Sequence, residues 1–348
     1  MSGGTNMNYV DYIMNEAEKL IAIPSPSGFT HNAAKFLKAE LEEMGYNPVI
    51  TRKNAVLVDL GGKNKEDAIV LAAHVDTLGA MVTQIKGNGR LQLAPVGGIK
   101  GASVEGENCK IHTRDGKEYD ATFQILNASL HVNDDFDGAK RNYKGMEALI
   151  DEMVSSTEDV EKLGISVGDY VSFDPRTVIT SSGYIKSRFL DDKFSSAILM
   201  GYAKYLKEEN IEPERRIYLL FTSYEEVGHG GAASIPEGVT EMISVDMGCV
   251  GDGLGCDETK VSICAMDSVS PYDYSVTSEL IRIAKEKNLG FAVDVYPHYG
   301  SDVDVTLKAG YDIKHGLIGP GVYASHGYER SHRLGAENTL ELLKGYLG

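Results

Sequence analysis

Ile69-Val70-Leu71-Ala72-Ala73-His74-Val75-Asp76 is the stretch on which the fold turns. Its first five residues form an unbroken apolar run, as expected of a strand buried on both faces. The run ends in a histidine and an aspartate, and open α/β sheets bind ligands beyond the carboxyl ends of their strands. Ala55 to Leu60, Arg216 to Thr222 and Met242 to Val245 read in the same style. Helical spacing lies among them. Residues 8–22 place Val10, Ile13, Met14, Ala17, Leu20 and Ile21 on one stripe. Ala34, Leu37, Leu41 and Met44 form a second, ended by Gly45. Ala197, Ile198, Gly201, Tyr202 and Tyr205 form a third; Leu280, Ile281 and Ala284 lie on a fourth, and Leu340, Leu343 and Leu347 on the last. Strands alternating with helices predict an α/β fold, a sheet covered by helices on its faces.

The middle of the chain is different. From residue 80 to 180 the pattern is period-two alternation with tight turns: Gly87-Asn88-Gly89, Asp115-Gly116 after Cys109, Ile111 and Thr113, and Gly168-Asp169 before Tyr170, Val171 and Phe173. This predicts a small β-rich domain inserted into the α/β domain, with a helix of its own over Met146–Met153. The expected organisation is a catalytic α/β domain in two parts, residues 7–79 and 181–348, with the insert at 80–180. Two domains also suit the length of 348 residues.

A formal net charge of -17 leaves no basic excess to neutralise phosphate, so nucleic acid and anionic membrane are not expected partners. No apolar run approaches a membrane span, and no signal peptide is read. Cys109, Cys249, Cys256 and Cys264 include no Cys-x-x-Cys pair and read as reduced thiols of a cytoplasmic protein. Met1 to Asn6, ahead of a second methionine at Met7, reads as an extraneous leader.

The chemistry-bearing residues sit at the ends of the apolar runs. His74 is placed to ligate a metal, with Asp76 able to hold its other ring nitrogen. Asp191-Asp192 precedes the helical pattern at Phe194 to Lys207, where an aspartate caps a helix or bridges two cations. The bridge is assigned to Asp191 and a supporting role to Asp192. Glu225-Glu226-Val227-Gly228 follows the strongest strand. Adjacent side chains cannot share one direction in extended backbone, so the pair divides labour: Glu225 as general base, Glu226 as ligand. Asp246 ends a further strand. His326 completes the set, with His332 as its competitor. Carboxylates and histidines converging in this way would repel without bound cations. Two divalent ions are therefore expected, and the same mixed donors accept zinc, cobalt or manganese. His229 is a neighbour of the glutamates. His31, His112, His131, His298 and His315 read as ordinary surface or core histidines. Asp134 to Gly138 lacks the ligand spacing of a calcium loop, and the glycines from Gly251 to Gly255 lack a following Gly-Lys-Ser/Thr.

These strings resemble the TET-type aminopeptidases, the glutamyl and deblocking aminopeptidases of peptidase family M42. The matching segments are Pro24-Ser25-Pro26-Ser27-Gly28, Ala73 to Thr77, Leu190 to Lys193, Glu225 to Gly228, Val245 to Gly248, Gly300-Ser301-Asp302 and the segment around His326; Leu163 to Asp169 resembles part of the family's lid and dimerisation domain. The resemblance implies a zinc-peptidase-like mixed sheet sandwiched by helices, with a small barrel-like insert. It implies that His74 and Asp246 hold one metal, Glu226 and His326 the other, and that Asp191 bridges, with Asp76 orienting His74 and Glu225 as the base. It further implies zinc or cobalt, a cytosolic homo-oligomer of dimers assembled into a dodecamer, and release of amino-terminal residues from peptides. The same ligand set would serve a metal-dependent deacylase or carboxypeptidase-like amidase. A non-catalytic peptide-binding assembly protein is the third reading.

Overall fold

The computed structural model describes residues 9–348; the leader Met1 to Asn6 lies outside the described residues. The frame is a twelve-stranded mixed sheet. At its centre four strands run parallel, in the order Arg215–Thr222, Asn64–His74, Val239–Val245, Lys314–Tyr323. The apolar run of the second strand divides between two cores. Ile69, Leu71 and Ala73 pack into the larger one, while Ala68, Val70 and Ala72 face the smaller one on the opposite side. The neighbouring Arg215–Thr222 strand divides likewise, with Ile217, Leu219 and Phe221 on one face and Tyr218 and Leu220 on the other. Burial on both faces is why neither strand alternates in sequence.

Helices Tyr9–Ile21, Leu190–Glu208 and Arg333–Leu347 cover the larger face and supply much of its core. The short helix Asp302–Lys308 lies on the other face through Val303. All four central strands end on the same edge, which brings His74, the turn after Thr222, Asp246 and the turn after Tyr323 together.

The chain leaves the sheet after His74 and builds a closed six-stranded antiparallel barrel between Gly79 and Phe173. Its interior holds Val82, Leu93, Ile111, Phe123, Ala148 and Val171. One expectation is corrected here. Met146–Met153 is not helical: Met146–Ile150 is a barrel strand, and the insert's helix is Thr157–Leu163. Met146, Ala148 and Ile150 point inward with period two, and the buried Glu147 is held by Lys86 and Arg90. A five-residue segment is too short for its periodicity to exclude a helix; the strand's place in the barrel decides it.

The strand Lys314–Tyr323 is not among the elements expected from sequence, and Gly316, Gly319, Pro320 and Gly321 interrupt its apolar residues. The glycines answer to close packing. A Cβ on Gly319 would lie 1.6 Å from the main-chain oxygen of Asp246, whose own N–H donates to Ile318 O at 2.9 Å. Only glycine lets this strand approach the Asp246 turn. Gly319→Ala is therefore expected to destabilise the fold by about 1–3 kcal/mol or more, read as a lowered denaturant midpoint; an unchanged midpoint would show that the turn yields freely.

Candidate metal centre

The site forms where the edge of the parallel sheet meets the barrel. His74 is 1% exposed. Its Nδ1 lies 2.9 Å from the main-chain oxygen of Asp76 and 3.7 Å from that residue's carboxylate. The expected ring partner is thus the Asp76 main chain rather than its side chain. A carbonyl oxygen only accepts, so Nδ1 carries a proton and a neutral ring has Nε2 bare. That Nε2 faces Asp191 Oδ1 at 3.0 Å. Two lone pairs at this distance require a positive charge, either on the ring or between the two atoms.

Asp191 is the shared element. Oδ1 faces His74, and Oδ2 lies 3.5 Å from His326 Nε2, which in turn is 3.6 Å from Glu226 Oε2. Among the described residues two groups able to hold a cation result: His74, Asp191 and Asp246, and Asp191, Glu226 and His326, each with one donor atom per residue within 4.8 Å of the others. The Glu225 carboxylate stands 3.7 Å from His74 Nε2 and belongs to neither group. Glu225 and His326 keep side-chain exposures of 16% and 42%, so the site opens to solvent on their side.

Charge balance favours cations here. Burial raises the pKa of Glu225, Glu226, Asp192 and Glu329 well above the carboxylate range, and raises Asp246 to about 7. Burial acts on Asp191 in the same direction, but hydrogen bonds from His326 and His74 outweigh it and hold that carboxyl below its usual value. Glu226 Oε1 is buried without a hydrogen-bond partner among the described residues. Mixed carboxylate and imidazole donors, an excess of negative charge and an unsatisfied buried oxygen fit divalent cations bound there.

The turns that carry these side chains are locally strained. Phe189, Tyr224 and His326 have φ of 67°, 69° and 61° in the left-handed region, immediately around Asp191, Glu225 and the last histidine. Carboxylates pin the turns by accepting main-chain N–H groups. Asp76 accepts from Glu225 at 3.1 Å and Glu226 at 3.3 Å. Asp192 accepts from the His74 N–H at 3.1 Å. Glu329, which sequence reasoning passed over, accepts from Asp191 at 3.1 Å through Oε2 and from His326 at 3.0 Å through Oε1. Its only signal in the sequence is an acid three residues beyond His326. Asp302 was also given no role; it is buried beside Gly230, accepts from Thr222 Oγ1, and burial raises it to about 6.

His332 is not brought to this cluster. Its Nδ1 accepts from Leu334 N–H at 3.1 Å to cap the last helix, and its Nε2 lies 2.9 Å from Ser182 O. His229 stacks on Tyr224 with ring centroids 4.8 Å apart. The barrel reaches the cluster through Gly97 and Gly98; a Cβ on Gly98 would lie 2.7 Å from His326 Nδ1.

Comparison with known proteins agrees with this architecture. The family model described as M42 glutamyl aminopeptidase matches residues 54–342. The chain is 43% identical over 341 residues to YhfE of Bacillus subtilis, a candidate aminopeptidase, covering 98% of this chain and 99% of that one. Among solved structures, the aminopeptidase APDkam598 from the archaeon Desulfurococcus kamchatkensis superposes with a TM-score of 0.86 at 20% identity, over 98% of this chain and 95% of the other. The Pyrococcus horikoshii TET1 peptidase, described as assembling into a tetrahedron or a large octahedral shell, gives a TM-score of 0.84 at 20% identity over 96% and 98%. The chain belongs to the M42 glutamyl aminopeptidase family and is a peptide-bond hydrolase.

Proposed function

We propose that the protein is an aminopeptidase that works with two divalent cations, zinc, cobalt or manganese, and uses Glu225 as its general base. The observation that carries this reading is the sharing of Asp191 between two ligand groups. His74 and Asp246 would hold one cation and Glu226 and His326 the other, with Asp191 shared between them. Bound there, the cations supply Lewis acidity to the scissile carbonyl and lower the pKa of water.

The chain's own residues do the rest. Glu225 stands beside His74 but outside both ligand groups, so its carboxylate is free to accept a proton from water and return it to the leaving amine. Asp76 holds the glutamate turn through two main-chain N–H groups, and Glu329 holds Asp191 and His326. The carboxylate excess suits a positively charged substrate amino terminus, which supports cleavage at that end of a peptide. The Gly97-Gly98 turn of the barrel forms one wall of the approach.

We further propose a cytoplasmic homo-oligomer, built from dimers into a dodecamer. The fold shared with the TET1 peptidase supports it, as do the free cysteines and the exposed Leu130, Val132 and Met153 of the insert. No helix among the described residues is long and apolar enough to cross a membrane.

The reading is tested by metal analysis together with a panel of aminoacyl anilides, amino-blocked amides and carboxyl-terminal substrates. Turnover of free-amine substrates, lost on chelation and restored by metal, is expected. Turnover of amino-blocked substrates alone would redirect the assignment to a deacylase. Glu225→Gln should keep its metal and lose at least ~100-fold in kcat; retained turnover would remove Glu225 from the base role. Glu226→Ala should bind one metal equivalent fewer, measured by mass spectrometry of the metal content. Glu329→Ala should weaken metal affinity by about 10–100-fold in a chelator competition titration, because two ligand turns lose their anchor.

A further inference from the structure

Ser27 lies in Pro24-Ser25-Pro26-Ser27-Gly28, far from the glutamate pair in sequence and bound to the residue that holds it. Its Oγ donates to Asp76 Oδ2 at 2.5 Å, and the residue is 5% exposed. That same Oδ2 accepts from Glu226 N–H at 3.3 Å, while Oδ1 accepts from Glu225 N–H at 3.1 Å. Among the described residues the Asp76 carboxylate thus accepts three hydrogen bonds, two from main-chain N–H groups and one from the Ser27 side chain. Without that hydroxyl the carboxylate can rotate about its χ angles, and the two N–H groups of the glutamate turn lose a fixed acceptor.

The loop that presents Ser27 is itself tied on several sides. Ser25 Oγ donates to Val75 O at 2.7 Å, Ser27 N–H to Thr77 O at 3.1 Å, and Thr77 N–H to Ser25 O at 2.9 Å. Lys193, fully buried, donates from Nζ to Ile23 O at 2.5 Å. That bond joins the loop to the helix opening with Asp191 and Asp192. Gly28, at φ +92°, sits under Tyr170 of the barrel: a Cβ there would lie 2.2 Å from the tyrosine oxygen. The loop thus joins the sheet edge, the metal-site helix and the barrel, and Ser27 carries its contact to the Asp76 carboxylate.

We propose that Ser27 is a positioning residue for Glu225, acting through Asp76. The inference rests on the reading of Glu225 as general base, but its geometry does not.

The test uses Ser27→Ala and Ser27→Thr in the full-length protein. Hydrogen exchange on the metal-free protein reads the geometry directly. Amides 225 and 226 should exchange about tenfold faster in Ser27→Ala, with the strands Asn64–His74 and Arg215–Thr222 unchanged, and Ser27→Thr should restore protection because the hydroxyl is kept. In the metal-loaded enzyme Ser27→Ala should lower kcat about 10–100-fold with KM within about twofold and metal content unchanged. On a Glu225→Gln background the same substitution should cost nothing further, since the group it positions is already gone. Unchanged exchange at 225 and 226, or an equal kcat loss on both backgrounds, would overturn the proposal. Active Glu225→Gln would instead overturn the assignment of the base and leave the exchange result to decide what Ser27 holds.

Discussion

Asp191 between His74 and His326 is the contact on which the rest of the architecture depends. One carboxylate offers an oxygen to each of two imidazoles, and further acids stand within reach of both. Such a collection is unstable by itself, because buried carboxylates repel and each has lost its hydration. Cations relieve both costs at once. The proposed metal centre would therefore serve the packing as well as the catalysis.

The convergence follows from sheet topology. Parallel strands all end on one edge, so residues far apart in the chain become neighbours there. Holding them at useful distances is a separate task, done by carboxylates that accept main-chain N–H groups. Asp192 spends one oxygen this way, and Asp76 and Glu329 spend both. Charge-assisted bonds to backbone donors are strong and leave little rotational freedom. They also explain how left-handed residues such as Phe189 and Tyr224 persist in the turns.

Much of this was legible in sequence. The apolar runs ending in His74, Thr222 and Val245 marked buried strands, and the acids after them marked the edge on which they converge. The residues that read poorly did so for identifiable reasons. Met146–Ile150 was too short for its period to show. Lys314–Tyr323 was disguised by glycines that serve a close main-chain approach. Glu329 and Ser27 bond to main chain or to another side chain rather than to the reacting centre, and nothing in their local sequence marks such a partner.

Taken alone, the sequence determined the α/β class, the β-rich insert and the set of acids and histidines at strand ends, because burial and turn chemistry are written in local pattern. Tertiary structure alone decided which histidine joins Asp191, which atom of Asp76 faces His74, and which remote residues brace the glutamate turn. Those choices depend on distances between segments separated by tens to hundreds of residues, and periodicity along the chain does not encode them.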